Sequence, residues 1–165
     1  MSERIHNILF LCTGNSARSI LAEALMNQLG RERGFRAFSA GSHPRGSVHP
    51  AALELLASRG LPTEGLRSKG WEEFAAPDAT ALDFVFTVCD QAAGEVCPVW
   101  PGQPVTAHWG QPDPAAVSAP EAAVRKAFLD AFVTLQRRIE LMLALPLQRL
   151  DALSLRREVD RIGQQ

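Results

Sequence analysis

Cys12 and Arg18 lie six positions apart in the stretch LCTGNSARS, residues 11–19, and their types and spacing suit oxyanion chemistry. If a strand ends at Cys12 and a helix follows, the peptide N–H groups of residues 13–18 line a concave nest that binds anions. The planar guanidinium of Arg18 matches the oxygens of a tetrahedral oxyanion. The same positive ends favour a thiolate, so we expect Cys12 to have a lowered pKa and to attack the central atom of the bound oxyanion.

The rest of the stretch supports this interpretation. Gly14 permits the turn without a side-chain clash, and the sequence contains no Walker A or G-x-G-x-x-G pattern that would indicate a nucleotide loop. A cysteine and an arginine at this spacing are a weak signal alone, and the alternative is a buried structural cysteine beside a surface arginine. The predicted oxyanion-binding residues are Thr13, Gly14, Asn15, Ser16, Ala17, Arg18 and Ser19.

The elements that must position this loop alternate between strands and helices. Residues 5–11 form a nearly continuous apolar run, typical of a central parallel strand, and apolar residues recur at helical spacing after Ser16. Further strands are predicted over residues 35–41, 82–89 and 105–110. Helices are predicted over residues 51–59, over residues 68–74, and from a capping-box sequence at Ser118 to Glu121 onward. Residues 41–50 are predicted to be a turn-rich loop.

This alternation predicts an α/β fold, a four-stranded parallel sheet with helices on both faces. Ligands of such sheets bind beyond the carboxyl ends of the strands, which is where Cys12 lies. The chain has 165 residues, of which 46% are hydrophobic and 21% charged, and this suits one soluble globular domain. We expect residues 1–145 to form the domain and residues 146–165, which start at the helix-breaking Pro146, to extend it with an amphipathic helix.

Composition narrows the expected partners and location. Lysine and arginine number 17 against 18 acidic residues, so the net charge of -1 gives no footprint of a nucleic-acid-binding or membrane-surface protein. No apolar segment approaches the roughly 20 residues of a membrane-spanning helix. Three cysteines are too few for a disulfide scaffold, so we expect a reducing compartment, the cytoplasm.

The stretch LCTGNSARS resembles the phosphate-binding loop of low-molecular-weight protein tyrosine phosphatases and of the arsenate reductases that share their fold. The resemblance extends to SAG at residues 39–41, TVCDQAAGEVCP at residues 87–98 and HWGQPDP at residues 108–114. It implies that Asn15 and Ser19 brace the loop and stabilise the Cys12 thiolate. It also implies that Asp113 is the general acid that protonates the leaving oxygen, with a solvated turn aspartate as the alternative.

A reductase of this family needs more thiols than a phosphatase does. Once Cys12 holds arsenic, another thiol must attack the Cys12 sulfur, which releases arsenite and leaves a disulfide. Cys89 ends the third predicted strand at the same sheet edge as Cys12, and Cys97 lies in the Gly- and Pro-rich loop that follows. The resemblance implies that oxidation passes to a Cys89–Cys97 pair, which thioredoxin, glutaredoxin or a low-molecular-weight thiol then reduces. The alternative is that these two cysteines are unconnected.

The residues after Asp113 separate the two activities. Phosphatases of this family carry aromatic residues, commonly tyrosines, just after the Asp-Pro pair to stack on a phosphotyrosine ring. This chain has no tyrosine, and its Asp-Pro pair is followed by Ala-Ala-Val. A small inorganic oxyanion fits better, with arsenate as the substrate and phosphate or sulfate as analogues. The expected function is reduction of arsenate to arsenite, and the alternatives are a phosphatase and a noncatalytic oxyanion or redox sensor.

No cofactor is expected. Some members of the family bind potassium beneath the anion loop, and Asn15, Glu23 and Ser39 match ligand positions. Lys69 stands where a further acidic ligand is expected, and its ammonium would replace the ion, so we expect no metal. A zinc site made by the three cysteines and His108 is a weak alternative because no C-x2-C pair is present.

Overall fold

The computed structural model of the protein describes residues 5–89, 100 and 103–165. Its parallel strands, hydrogen-bonded in the order β2-β1-β3-β4, are β1 (His6–Cys12), β2 (Phe35–Gly41), β3 (Phe84–Thr87) and β4 (Val105–His108). The α-helices in these ranges are α1 (Arg18–Leu29), α2 (Pro50–Ser58), α3 (Glu121–Leu143) and α4 (Ala152–Ile162). Short 3-10 helices cover Arg31–Arg33, Trp71–Phe74, Pro114–Ala116 and Leu147–Arg149. The predicted four-stranded parallel α/β fold is confirmed.

The central strand β1 carries the predicted nucleophile. It pairs with β2 on one side and β3 on the other, and its residues from Ile8 to Leu11 are fully buried on both faces of the sheet. This double burial explains why the sequence of β1 is a continuous apolar run and does not alternate. Cys12 is the last residue of the strand, so it lies at the carboxyl edge of the sheet.

The two faces of the sheet are covered differently. All four of these α-helices contribute side chains to one core, in which Phe10, Phe86 and Trp109 pack ring against ring. The opposite face is covered, in the described part of the chain, by the 3-10 helix Trp71–Phe74 and the indole of Trp100. Helices thus lie on both faces, and within the described ranges the second layer contains one short 3-10 helix.

The start of α3 differs from the prediction. The residue that caps this helix is Pro120, and no side chain bonds to the N–H groups of its first turn. The expected capping box at Ser118 is therefore wrong, because the helix starts two residues too late for the Ser118 hydroxyl to reach those groups. Within the described ranges, no helix combines the length and the apolar character that crossing a membrane requires.

The last helix, α4, packs against the sheet. Leu155, Val159 and Ile162 enter the same core as α1, α2 and α3. The indole Nε1 of Trp109, just beyond β4, donates a hydrogen bond of 2.8 Å to the carbonyl of Val159. Residues 152–162 therefore form a wall of the core beside the edge strand β4.

Candidate active site

The loop between Cys12 and Arg18 turns its carbonyl groups outward. Three of them accept hydrogen bonds of 2.9 Å from the N–H groups of His43, Arg45 and His49, and these carbonyls belong to Thr13, Gly14 and Ser16 respectively. In a trans peptide the N–H points away from the C=O, so the N–H groups that follow these carbonyls point into the loop. The loop thereby forms a concave nest of backbone donors at the N-terminus of α1, which is suited to an anion.

A chain of directed hydrogen bonds leads from the backbone to the Cys12 sulfur. The N–H of Lys69 donates to Oδ1 of Asn15 at 2.9 Å, and Nδ2 of Asn15 donates to Oγ of Ser19 at 2.8 Å. Oγ of Ser19 lies 2.9 Å from Sγ of Cys12. Either atom can donate in this bond while Cys12 is a thiol, and the Ser19 hydroxyl must donate once Cys12 is a thiolate. Asn15 has a positive φ of 44°, a conformation that asparagine tolerates better than most residues.

The protonation of Cys12 differs from the prediction. The side chain is only 4% exposed, and burial raises the pKa of its thiol. The hydrogen bond from the Ser19 hydroxyl and the backbone N–H groups of Ser19 and Asn15 lower that pKa, but burial is the larger effect. The expected low pKa is therefore wrong for the unliganded protein, since the sequence pattern reveals the donors and not the depth at which the sulfur is buried.

Arg18 connects the anion loop to the predicted acid. Its Nη1 donates to the carbonyl of Gln111 at 2.8 Å, and its Nη2 lies 3.6 Å from Oδ2 of Asp113. The other oxygen of Asp113, Oδ1, accepts the N–H of Ala115 at 3.0 Å and so caps the short helix that follows. The buried Nε of Arg18 has no hydrogen-bond partner in the described part of the chain. An oxyanion in the nest would satisfy this donor.

Cys89 lies beside Cys12 on the same face of the sheet. Thr87 pairs with Leu11 across β3 and β1, and Cys89 follows two residues later at the same edge. Both cysteines belong to one buried core, and Sγ of Cys89 lies 3.7 Å from Oγ1 of Thr13. The proximity of Cys89 also contributes to the raised pKa of Cys12. Cys97, the third cysteine of the predicted relay, lies outside the described residues.

Two basic residues that were not predicted from the sequence lie at the rim of the cavity over the nest. The cavity encloses about 150 Å³, and its described lining includes His43 and Arg45 besides Cys12, Arg18 and Asp113. Both residues lie in the segment 41–50, for which the sequence predicted only a turn-rich loop. The backbone bonds of that loop to Thr13 and Gly14 bring them to the site, and a long-range contact of this kind leaves no local sequence signal.

The role of Gly14 follows from the same loop. A Cβ atom built on Gly14 would lie 3.1 Å from Nε and 3.2 Å from Cγ of Arg45, closer than most packing contacts. Gly14 therefore lets the Arg45 side chain lie directly against the loop, and a side chain here would push Arg45 outward by a few tenths of an ångström.

Large aromatic side chains lie elsewhere. Trp109 is fully buried in the core, and Trp100 packs edge to face with Trp71 on the opposite side of the sheet. No Phe or Trp is among the described residues that line the cavity. Nδ1 of His108 lies 2.7 Å from Oγ1 of Thr87, which links β4 to β3. The cavity therefore offers an inorganic oxyanion cationic and backbone donors and offers a phenyl ring little to stack on.

A buried polar group lies beneath the nest. Oγ of Ser39 donates to Oε1 of Glu23 at 2.5 Å, and Nζ of Lys69 lies 3.8 Å from the same oxygen. Nζ of Lys69 also donates to the carbonyl of Arg67 at 2.8 Å. Burial raises the pKa of Glu23, and desolvation lowers the pKa of Lys69. Across residues 5–89, 100 and 103–165, no three His, Cys, Asp or Glu side chains cluster as a metal site.

Comparison with known proteins agrees with this geometry. Residues 7–151 match the family model of low molecular weight phosphotyrosine protein phosphatases. An arsenate reductase of Halalkalibacterium halodurans is 38% identical over 109 residues, which cover 66% of this chain and 73% of that protein. The arsenate reductase of Bacillus subtilis is 36% identical over 115 residues, covering 69% and 78% of the two chains.

Solved structures show the same likeness. An arsenate reductase solved in the phosphate binding state superimposes on this chain with a TM-score of 0.65 at 25% identity. The match covers 85% of this chain and 98% of that one. The thioredoxin-dependent arsenate reductase of Corynebacterium glutamicum gives a TM-score of 0.55 at 25% identity, over 86% of this chain and 65% of that one. The chain therefore belongs to the low-molecular-weight phosphotyrosine protein phosphatase family, and its relatives within that family include proteins named arsenate reductase.

Proposed function

We propose that this protein reduces arsenate to arsenite with Cys12 as the nucleophile and Cys89 as the second thiol. The observation that carries the proposal is the position of Cys89, a buried cysteine on the same face and at the same edge of the sheet as Cys12. Hydrolysis of a phosphate ester needs no second thiol there, whereas release of arsenite from a cysteine does. The relatives named arsenate reductase support the same assignment.

In the first step arsenate occupies the backbone nest, and Arg18 donates to it through Nε, which has no other partner in the described part of the chain. Because burial keeps the Cys12 thiol protonated, the bound arsenate dianion accepts its proton. The Cys12 sulfur then forms a bond to arsenic, and one As–O bond breaks. Asp113 donates a proton to the departing oxygen, which leaves as water.

In the second step the Cys89 sulfur attacks Sγ of Cys12, and the Cys89 thiol proton passes to an oxygen of the departing arsenic group. An S–S bond forms and the As–S bond breaks, so its electron pair passes to arsenic, which is reduced from As(V) to As(III) and leaves as arsenite. Cys97 then attacks Cys89, which frees Cys12 and leaves a Cys89–Cys97 disulfide. A dithiol protein such as thioredoxin or glutaredoxin, or a low-molecular-weight thiol, reduces this disulfide and closes the cycle.

The test is one turnover with arsenate in the absence of reductant, followed by peptide mass spectrometry. The wild-type protein should release one arsenite and retain one disulfide that includes Cys89. Cys89→Ser should stop with arsenic on Cys12 and lose multiple turnover, while slow hydrolysis of an aryl phosphate persists. Arsenate reduction by Cys89→Ser at the wild-type rate would contradict the relay and favour the phosphatase. A disulfide formed with peroxide alone, without any turnover of oxyanion, would favour a redox sensor.

A further inference from the structure

A buried guanidinium lies beneath the segment that carries Asp113. Arg138, on the inner face of α3, is 5% exposed. Its Nη1 donates to the carbonyl of Gly110 at 3.1 Å, and its Nη2 lies 3.4 Å from the main-chain oxygen of Gln165. Its buried Nε has no hydrogen-bond partner in the described part of the chain. Both terminal nitrogens of this buried side chain therefore bond to main-chain oxygens of other segments.

The position of Arg138 suggests what it does. It binds the carbonyl of Gly110, and Arg18 binds the carbonyl of the next residue, Gln111. Two guanidiniums, one from α3 and one from α1, therefore hold consecutive peptide groups of the short segment that leads to Asp113. Arg18 lines the cavity over the nest and Arg138 does not, so the bond from Arg138 to Gly110 does not depend on what the cavity holds.

The end of α4 completes this support. Gly163 packs so closely against the carbonyl of His108 and the ring of Trp109 that a Cβ atom there would overlap both. Through Gln165, Arg138 also contacts the residues that follow α4. The start of the acid-bearing segment is thus fixed to the C-terminal part of the chain in two ways. Gly163 packs against it, and the Arg138 side chain bonds to both.

We propose that Arg138 is a positioning residue for Asp113, which holds Gly110 so that the acid stays over the nest after Arg18 has engaged the oxyanion. The inference rests on the proposed role of Asp113 as the proton donor. Arg138 itself touches neither the nest nor the reacting atoms. Loss of the Arg138 side chain should therefore slow proton transfer from Asp113 and leave the affinity for the oxyanion unchanged.

The test compares Arg138→Met with Arg137→Met, which removes the neighbouring exposed arginine of the same helix. A correctly placed acid typically contributes about 10²–10⁴-fold, so partial misplacement in Arg138→Met should lower kcat for arsenate roughly 10-fold to 100-fold, with KM within about threefold. Arg137→Met should match the wild type. Arg138→Lys, which keeps a cationic donor, should recover part of the loss.

Two further measurements separate positioning from a general structural defect. Hydrolysis of phenyl phosphate, whose leaving group needs a proton, should fall in Arg138→Met, whereas hydrolysis of dinitrophenyl phosphate, whose leaving group does not, should stay near the wild-type rate. In an Asp113→Asn background, Arg138→Met should cause no additional loss. If the Met variant does not fold, Arg138→Gln and Arg138→Lys carry the same comparison.

Failure of the proposal for Arg138 can be distinguished from failure of the proposed function. Equal losses on both aryl phosphates, no loss on either substrate class, or a full additional loss in the Asp113→Asn background would each overturn the role of Arg138 alone. A wild-type protein that hydrolyses aryl phosphates and fails to reduce arsenate would overturn the proposed function, while the leaving-group comparison still tests Arg138. A wild-type protein inactive on both would overturn both.

Discussion

The loop after β1 and the segment after β4 serve the same cavity and are held in opposite ways. The loop of residues 12–19 is fixed within itself by the Asn15–Ser19–Cys12 chain and from outside by backbone donors. The segment of residues 109–113 is held by Arg18 and Arg138, whose partners lie 93 and 28 residues away in the chain. The nucleophile and the nest are thus built in advance, whereas the position of the acid depends on contacts from distant parts of the chain.

The largest effect is expected from a substitution that removes the acid and leaves the backbone of its segment in place. Asp113→Asn should lower the rate of arsenate turnover about 10²–10⁴-fold because no proton reaches the departing oxygen. Asparagine caps a helix as well as aspartate does, so the bond to Ala115 persists and the Tm should change little. Steady-state kinetics and thermal unfolding measure the two quantities.

The matched control for this variant is Asp151→Asn, since Asp151 caps α4 by accepting the N–H of Ser154 in the same manner. It should leave turnover unchanged. A turnover rate of Asp113→Asn equal to that of the wild type would show that the acid lies elsewhere and remove the contrast between the two regions.

The loop after β1 should not tolerate a comparable change without loss of stability. Asn15→Ala leaves the Lys69 N–H without an acceptor and puts a Cβ-bearing residue at a positive φ without a stabilising side chain. We expect the free energy of unfolding to fall by about 3 kcal/mol and turnover to fall about 10²-fold. Urea unfolding and arsenate turnover at a temperature where the variant is folded measure both effects.

Asn27→Ala controls for stability loss without damage to the site. Asn27 bonds to the backbone of Ala37 in β2 through both of its amide atoms and lies away from the cavity. It should destabilise the protein and leave turnover of the folded enzyme intact. If Asn15→Ala behaves like Asn27→Ala, the loop is not the preorganised region that the comparison assumes.

A smaller effect concerns the protonation of Cys12. Its pKa is raised in the unliganded protein, so the fraction of thiolate, and with it the rate of alkylation by iodoacetamide, should keep rising as the pH is raised above 7. Ser19→Ala removes a hydrogen bond that lowers this pKa, so the profile should move to higher pH and the rate at pH 7 should fall about tenfold. The alkylated Cys12 peptide is quantified by mass spectrometry.

Ser58→Ala, which removes a serine hydroxyl that bonds only to the carbonyl of Leu55, serves as the control and should give the wild-type profile. A wild-type profile that already reaches its plateau below pH 7 would contradict the raised pKa and restore the thiolate expected from the sequence.

The smallest expected effect lies at the rim, where the two regions face each other. Arg45→Ala removes an exposed charge beside the nest, so KM for arsenate should rise about threefold with kcat unchanged, and the difference should shrink at high salt. Arg31→Ala, which removes an exposed charge far from the cavity, is the control for net charge. Equal KM values for Arg45→Ala and the wild type at low salt would exclude Arg45 from oxyanion binding.

The same contrast explains how much the sequence could predict. The strand, the loop and the helix around Cys12 are contiguous, so a local pattern indicated the nest and the sheet edge. Asp113 was identified only through resemblance to a family, because its link to Arg18 spans the chain. Arg45, which lines the cavity, and Arg138, which bonds to Gly110, were missed, since these contacts form only when the chain folds. The predicted lowering of the Cys12 pKa was wrong for the same reason, because burial is a property of the whole core.

The depth of Cys12 and Cys89 has a consequence for electron supply. With exposures of 4% and 2%, a bond between these two sulfurs would lie behind the sheet edge, where another protein's surface cannot dock against it. In the proposed relay, reducing equivalents would then reach these sulfurs through another thiol of the chain or a small thiol, and not by direct contact with a protein surface. Enclosure of this kind would shield the oxidised intermediate from unrelated dithiol proteins.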